Sequence, residues 1–219
     1  MIIAYHAIFT TYGTWLPNDP RGSYSREVYN EQLKLLGDIQ YGRQDPQPDG
    51  TTKRRFWTES RKCLERPPYF INDRTRPIVG ESFARTAERL GEVVHACAIM
   101  NDHVHLVVRR GGHRIEYLVG QFKANATCSL RLRLTPWATG SWRVFLDDEE
   151  TVRAAVRYVE ANPTSAGWGE QRWEWVTRLQ DWYDDWDVRE TDAHKEEVRR
   201  LGLGVGGEGT ERDGRSDRR

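Results

Sequence analysis

Apolar, aromatic and β-branched residues fall in short blocks separated by turn-forming stretches. Ile2 to Leu16 carries Tyr5, Ile8, Phe9, Thr10, Thr11, Tyr12 and Trp15, which predicts a strand. Gly13 marks a bulge or close backbone approach within it, and Pro17-Asn18-Asp19-Pro20-Arg21-Gly22 stops it. From Thr75, Ile78, Val79, Phe83, Ala87 and Leu90 recur at near-helical spacing up to Gly91. Val93 to Met100 then reads as a buried strand, Asn101-Asp102 as a two-residue turn, and His103 to Arg109 as the antiparallel partner. A second helix follows through Ile115, Leu118, Val119 and Phe122 to Leu130, and Trp142 to Phe145 reads as a short strand. Asp147-Asp148-Glu149-Glu150 supplies a cap and an acidic first turn for a third helix with Val152, Ala155, Val156 and Val159 on its apolar face. Pro163 is expected to end that helix, because the residue before a proline avoids the α region.

The predicted order is strand, helix, hairpin, helix, strand, helix. It describes an α+β, ferredoxin-like domain, an antiparallel sheet with helices packed on one face. Residues 23–70 show little periodicity and read as an early insertion between the first strand and the first core helix. The Trp173 to Trp186 region reads as a packed C-terminal wrap. From about Glu190 charge and glycine dominate, so residues 1–189 are expected to form one domain and residues 190–219 a disordered tail.

Composition narrows the function. Lys+Arg and Asp+Glu both number 33 in 219 residues, so gross charge cannot hold this chain to a polyanion and any basic site must be local. One such stretch exists. From Leu106 to Arg143 the charged residues are Arg109, Arg110, Arg114, Lys123, Arg131, Arg133, Arg143 and a single acid, Glu116. A phosphate track is the functional reading, and Lys123 in mid-helix is its first candidate. No long apolar run predicts a membrane span, and the first residues lack the pattern of a signal peptide, so a cytoplasmic protein is expected. Cys63, Cys97 and Cys128 form neither a disulfide framework nor a zinc motif.

The candidate chemistry lies in the hairpin. His103 and His105 are two apart on a predicted strand, so both imidazoles project from one face, where two nitrogen ligands can hold one divalent ion. Two half-exposed strand histidines would have the same spacing, so the pair needs support from elsewhere. A binuclear hydrolase pattern fails because Val107 and Val108 stand where Asp and His are required, and the HxE and PCxxC elements of a zinc deaminase are missing. Amidohydrolase-type sites need further downstream histidines, and only His113 and His194 follow. Tyr158 and Asn162 are four apart on the third helix and share a face, so a phenol and a carboxamide can be presented together.

Asn101-Asp102-His103-Val104-His105-Leu106-Val107-Val108, followed by Tyr158-Val159-Glu160-Ala161-Asn162-Pro163-Thr164-Ser165-Ala166-Gly167, resembles the paired signature of the single-tyrosine HUH transposases, and within them the REP-associated tyrosine transposase branch. The resemblance runs from about Met1 to Trp175 and is looser over 23–70. It implies a ferredoxin-like HUH fold, His103, His105 and Asn162 as ligands of a divalent ion (Mg²⁺ or Mn²⁺), and Tyr158 as nucleophile. The implied activity is that of a single-strand DNA endonuclease and strand transferase working through a 5′-phosphotyrosine. The implied partner is single-stranded or hairpin DNA, such as extragenic palindromes, bound by a monomer or homodimer that would then associate with the nucleoid. Arg109, Arg110, Arg114, Lys123, Arg131 and Arg133 are the candidate DNA contacts, while Trp15 and Trp137 either stack on unpaired bases or pack in the core. Thr164-Ser165 departs from relatives that often carry valine and a basic residue there. The alternative is a DNA-binding protein that retains the fold and does not cleave.

Overall fold

The computed structural model describes residues 1–179 except positions 24, 29 and 43. The predicted tail at 190–219, its boundary at 189 and the tryptophans at 182 and 186 lie outside the described residues. Four strands form one antiparallel sheet: β1 (Ala4–Thr10), β2 (Val94–Ile99), β3 (His103–Arg109) and β4 (Trp142–Leu146), in the order β2-β3-β1-β4. With the helices α3 (Thr75–Leu90) and α4 (Ile115–Ser129) between the strands of each half, this is the ferredoxin-like order. The last helix, α5 (Glu149–Ser165), follows β4. The 23–70 stretch contains a short helix α1 (Glu31–Lys34), a longer α2 (Gly50–Ser60) and a 3₁₀ turn at Arg61–Cys63. Among the described residues no helix is long and apolar enough to cross a membrane.

Strand alternation sorts the side chains into two sets. Tyr5, Ala7 and Phe9 of β1, Val104, Leu106 and Val108 of β3, and Cys97 and Ile99 of β2 face α3 and α4. There they meet Val79, Phe83 and Ala87 of α3, and Ile115, Leu118, Val119, Phe122 and Ala126 of α4. A register shift between Val94 and Ala96 lets Val94 join the same cluster as Cys97 despite the odd spacing. The expected helical layer on one face is therefore α3 and α4, and α5 packs across the opposite face, against β2 and β3. Its buried residues Val152, Val156 and Val159 follow the apolar stripe read from the sequence. Asp148 caps it, accepting from the Thr151 amide at 2.8 Å.

Two predicted boundaries move, and one expected core residue is exposed. β1 ends at Thr10 rather than near Leu16, because the chain turns away there: Thr11 makes only an isolated bridge to Trp137, and Gly13 adopts φ 74°. A side chain at Gly13 would sit 2.8 Å from Leu64 Cδ1 and 3.2 Å from Pro68 Cα, so this glycine marks the close approach of the early insertion. α5 runs through Pro163 to Ser165 instead of stopping before it. Pro163 stands near the helix end and is buried, so one missing backbone donor is lost against added packing. Ile78, expected on the apolar face of α3, is 37% exposed.

After α5 the chain returns along the edge of β2. The Gln171 side chain bonds both the amide and the carbonyl of Ile99, at 2.8 and 2.9 Å, and the Thr177 amide bonds Val94 O at 2.9 Å. This satisfies groups of an otherwise open edge strand. Trp173 and Trp175 pack against the core, as the predicted wrap requires. Trp173 lies so close to α3 that a β-carbon at Gly80 would come within 2.2 Å of its ring. Gly80→Ala is therefore expected to destabilise the protein by about 1–3 kcal/mol through overpacking. In urea unfolding, Trp173→Leu added to Gly80→Ala should recover part of the lost midpoint.

Candidate active site

The register of β1 against β3 pairs Ile8 with His105, Thr10 with His103 and His6 with Val107. On the face away from the α3–α4 core this brings His6, His103 and His105 together. The His105 and His103 rings are 4.8 Å apart between centroids, and His105 Nδ1 lies 3.0 Å from His6 Nε2. α5 sets Tyr158 over the same face, its ring centroid 5.7 Å from His105 and 5.9 Å from His6. Tyr158 is 52% exposed, whereas His105 and His6 are buried. A phenol open to solvent thus stands directly beside a sheltered histidine cluster.

Each imidazole of the HxH pair has its Nδ1 engaged. His103 Nδ1 bonds Asp102 Oδ1 at 2.6 Å, and the other Asp102 oxygen accepts from the Trp15 indole at 3.1 Å. That leaves Nε2 of each ring without a partner among these contacts, and a neighbour that holds Nδ1 fixes the orientation of the ring. Burial holds His6 down at about 4. Burial, then the nearby His103 and His6, hold His105 well below the ordinary histidine value. Both rings are therefore neutral near pH 7, the form that binds a cation. Burial pushes the Asp102 pKa up, but the hydrogen bond and charge of His103, with Arg21 and Trp15, outweigh it and keep the carboxyl below its usual range.

Asn162 lies one turn beyond Tyr158, and its Nδ2 donates to Tyr158 O at 2.7 Å, which leaves the Oδ1 atom outside this bond. Two imidazoles and a carboxamide are neutral nitrogen and oxygen donors of the types that bind divalent ions. Among the described residues no group of three or more His, Cys, Asp or Glu is arranged to hold a metal ion, so the set at issue is this mixed one.

The hairpin turn is tied down from both sides. The Asp102 carbonyl accepts from the Thr11 amide at 2.9 Å and from the Thr14 hydroxyl at 3.1 Å, and Met100 N bonds His103 O at 2.8 Å across the turn. Thr11 and Thr14 are buried. The loop after β1 thereby fixes the residue that orients His103.

The basic candidates divide. Arg109 and Arg110 end β3, and Arg114 precedes α4; all lie at the far end of the strand from His103. At about 3.3 Å per residue, His103 and Arg109 are roughly 20 Å apart along the strand. Arg131 and Arg133 follow α4, just before the segment that bridges Thr11, and so lie at the histidine end. Arg143 is paired with Glu116.

Lys123 does not project to solvent as a phosphate contact would. Its ammonium donates to Ala138 O at 2.8 Å and also to Gly140 O, and sits 5.4 Å over the Phe9 ring. Burial lowers it to about 8. Trp137 is likewise internal, 3% exposed, with its indole donating to Lys123 O at 2.9 Å, which leaves Trp15 as the half-exposed aromatic of the two.

His6 was not legible as a site residue. Its only sequence signal is even-numbered alternation with Ile8 on β1, which acquires meaning once the pairing with β3 is known.

No family model matches the chain, and no curated protein does. Among solved structures, the chain is similar to a REP-associated tyrosine transposase bound to a REP hairpin: 11% identity, TM-score 0.45, covering 76% of this chain and 70% of that one. A candidate transposase from Deinococcus radiodurans R1 is also similar, with 15% identity, TM-score 0.32, and coverage of 73% and 90%.

Lys123→Ala is expected to cost about 1.5–3 kcal/mol of stability through loss of charge-assisted hydrogen bonds, read as a lower urea midpoint.

Proposed function

We propose that this protein is a divalent-ion-dependent single-strand DNA endonuclease and strand transferase of transposase type, with Tyr158 as nucleophile. The observation that carries the reading is the exposed Tyr158 phenol set 5.7 Å, ring to ring, from a buried His105 whose neighbour His103 is oriented by Asp102. The resemblance of the hairpin and α5 motifs to the HUH transposases supports the same reading.

A phenol ionises at about pH 10, so it attacks a phosphodiester poorly unless the phosphate is made more electrophilic. His103, His105 and Asn162 would hold a divalent ion, which would supply that polarisation and stabilise charge on the departing oxygen. The chain's residues do the rest. Tyr158 Oη forms a bond to phosphorus while the bond from phosphorus to the 3′ oxygen breaks. The phenol gives up its proton, and the 3′ oxygen gains one from solvent. One phosphodiester is exchanged for another, so a second 3′-OH can attack the phosphotyrosine and join strands without added energy. His6 holds the His105 ring from behind, and Asp102 holds His103. Arg131 and Arg133 would meet the strand near the histidines, and Arg109, Arg110 and Arg114 farther along it.

The decisive test is a denaturing gel of the protein incubated with labelled single-stranded and hairpin oligonucleotides and Mn²⁺. A covalent adduct is expected from the native chain and none from Tyr158→Phe, His103→Ala or His105→Ala. Binding without any adduct in the native chain would instead make this a DNA-binding protein that keeps the fold and does not cleave. Asp102→Ala is expected to weaken Mn²⁺ binding about 10–100-fold, measured by electron paramagnetic resonance of the free ion.

A further inference from the structure

The early insertion, for which the sequence offers no role, carries an arrangement of aromatic and arginine side chains that begins at the histidine site. Trp15 meets His103 edge-on at 6.2 Å between centroids. Arg21 lies over the Trp15 ring at 3.9 Å and reaches Trp57 of α2 at 5.6 Å. Trp57 in turn stacks on Phe70 at 6.1 Å with 29° between planes, and Arg61 stands 5.2 Å over it. Phe70 is 39% exposed and Arg61 is exposed. They border an open cleft of about 510 Å³ whose floor includes Leu64, Pro67 and Pro68. α2 adds exposed Arg54 and Arg55. Glu65 is the acidic group among the lining residues.

Arg21 is committed to Asp19, at 2.7 Å, so it props the aromatic rings and does not meet a ligand. Among the lining residues, Phe70 is an exposed aromatic and Arg61 an exposed cation, while Arg66 bonds Thr135 O and lies over the Tyr12 ring. Flat apolar rings alternating with guanidinium groups suit unpaired bases, which stack on aromatic faces while arginines attract the backbone. A duplex hides its base faces and cannot use such a surface. We propose that this insertion cleft binds unpaired nucleotides of the DNA strand that continues from the histidine site, with Phe70 as the stacking surface and Arg61 as the phosphate partner. The inference rests on the reading of this protein as a single-strand DNA enzyme.

The test is fluorescence anisotropy of a labelled fifteen-nucleotide oligo(dT) and of a blunt duplex of equal length. No divalent ion is added, so cleavage cannot contribute. Phe70→Ala and Arg61→Ala are surface changes, and circular dichroism will verify their folding. Each is expected to weaken oligo(dT) binding about fivefold or more and to leave duplex binding unaltered. Arg61→Ala should also reduce the slope of log affinity against log salt by about 0.7. Unaltered oligo(dT) affinity, or an equal loss for the duplex, would overturn the proposal. The adduct gel separates the two ideas. Adduct formation with unaffected binding in the variants sinks only the cleft, and weakened binding with no adduct in the native chain sinks only the strand-transfer reading.

Discussion

A slip of one residue between β1 and β3 would turn the site inside out. Side chains alternate across a strand, so the register that sends Val104, Leu106 and Val108 into the α3–α4 core is the same one that sends His103 and His105 to the opposite face. The core enforces it. A slip would drive His103 and His105 among the apolar side chains of the α3–α4 core, where their ring nitrogens would lose Asp102 and His6 as partners. The position of the candidate catalytic face is thus held by packing on the face that does no chemistry. His6 rides on the same constraint, since the alternation that buries Tyr5 and Ala7 in the core points it at His105.

That register fixes which face the histidines occupy, and the turn fixes their orientation. The backbone carbonyl of Asp102 is gripped by Thr11 and Thr14, while its carboxylate is shared between His103 and Trp15. One residue therefore ties the loop after β1, the β2–β3 turn and the first histidine into a single unit. The loop can take this path because Gly13 permits a left-handed backbone against Leu64 and Pro68. The early insertion consequently supports the site from outside the ferredoxin-like frame.

Elements were legible wherever one local signal decided them. The apolar stripe of α5, the Asn101-Asp102 turn and the HxH alternation follow from spacing alone, and the structure has them where the pattern put them. Features decided by distant partners were not. β1 stops at Thr10 because Asp102 and Trp137 capture Thr11, although the next residues favour strand. Lys123 has the sequence context of a surface cation, yet the carbonyls of Ala138 and Gly140, supplied by a loop fifteen or more residues later, draw it inward. His6 has no motif to mark it. Pro163 is a helix breaker on average, and here a buried position near the helix end outweighs its missing donor.

The same separation of local from distant governs how the basic residues of this chain of zero net charge are distributed. Of the basic residues between Leu106 and Arg143, Arg109, Arg110 and Arg114 lie at one end of the sheet, Arg131 and Arg133 follow α4 at the other, and Lys123 and Arg143 have partners within the fold. At physiological ionic strength charges are screened over about 8 Å, and the two ends are roughly 20 Å apart, so each acts alone. On the proposed reading, a phosphate beside His103 and His105 would lie at the end of the sheet away from Arg109, Arg110 and Arg114. A bound strand long enough to reach both ends would engage both groups. Under the strand-transfer proposal, affinity should then depend on strand length as well as on charge.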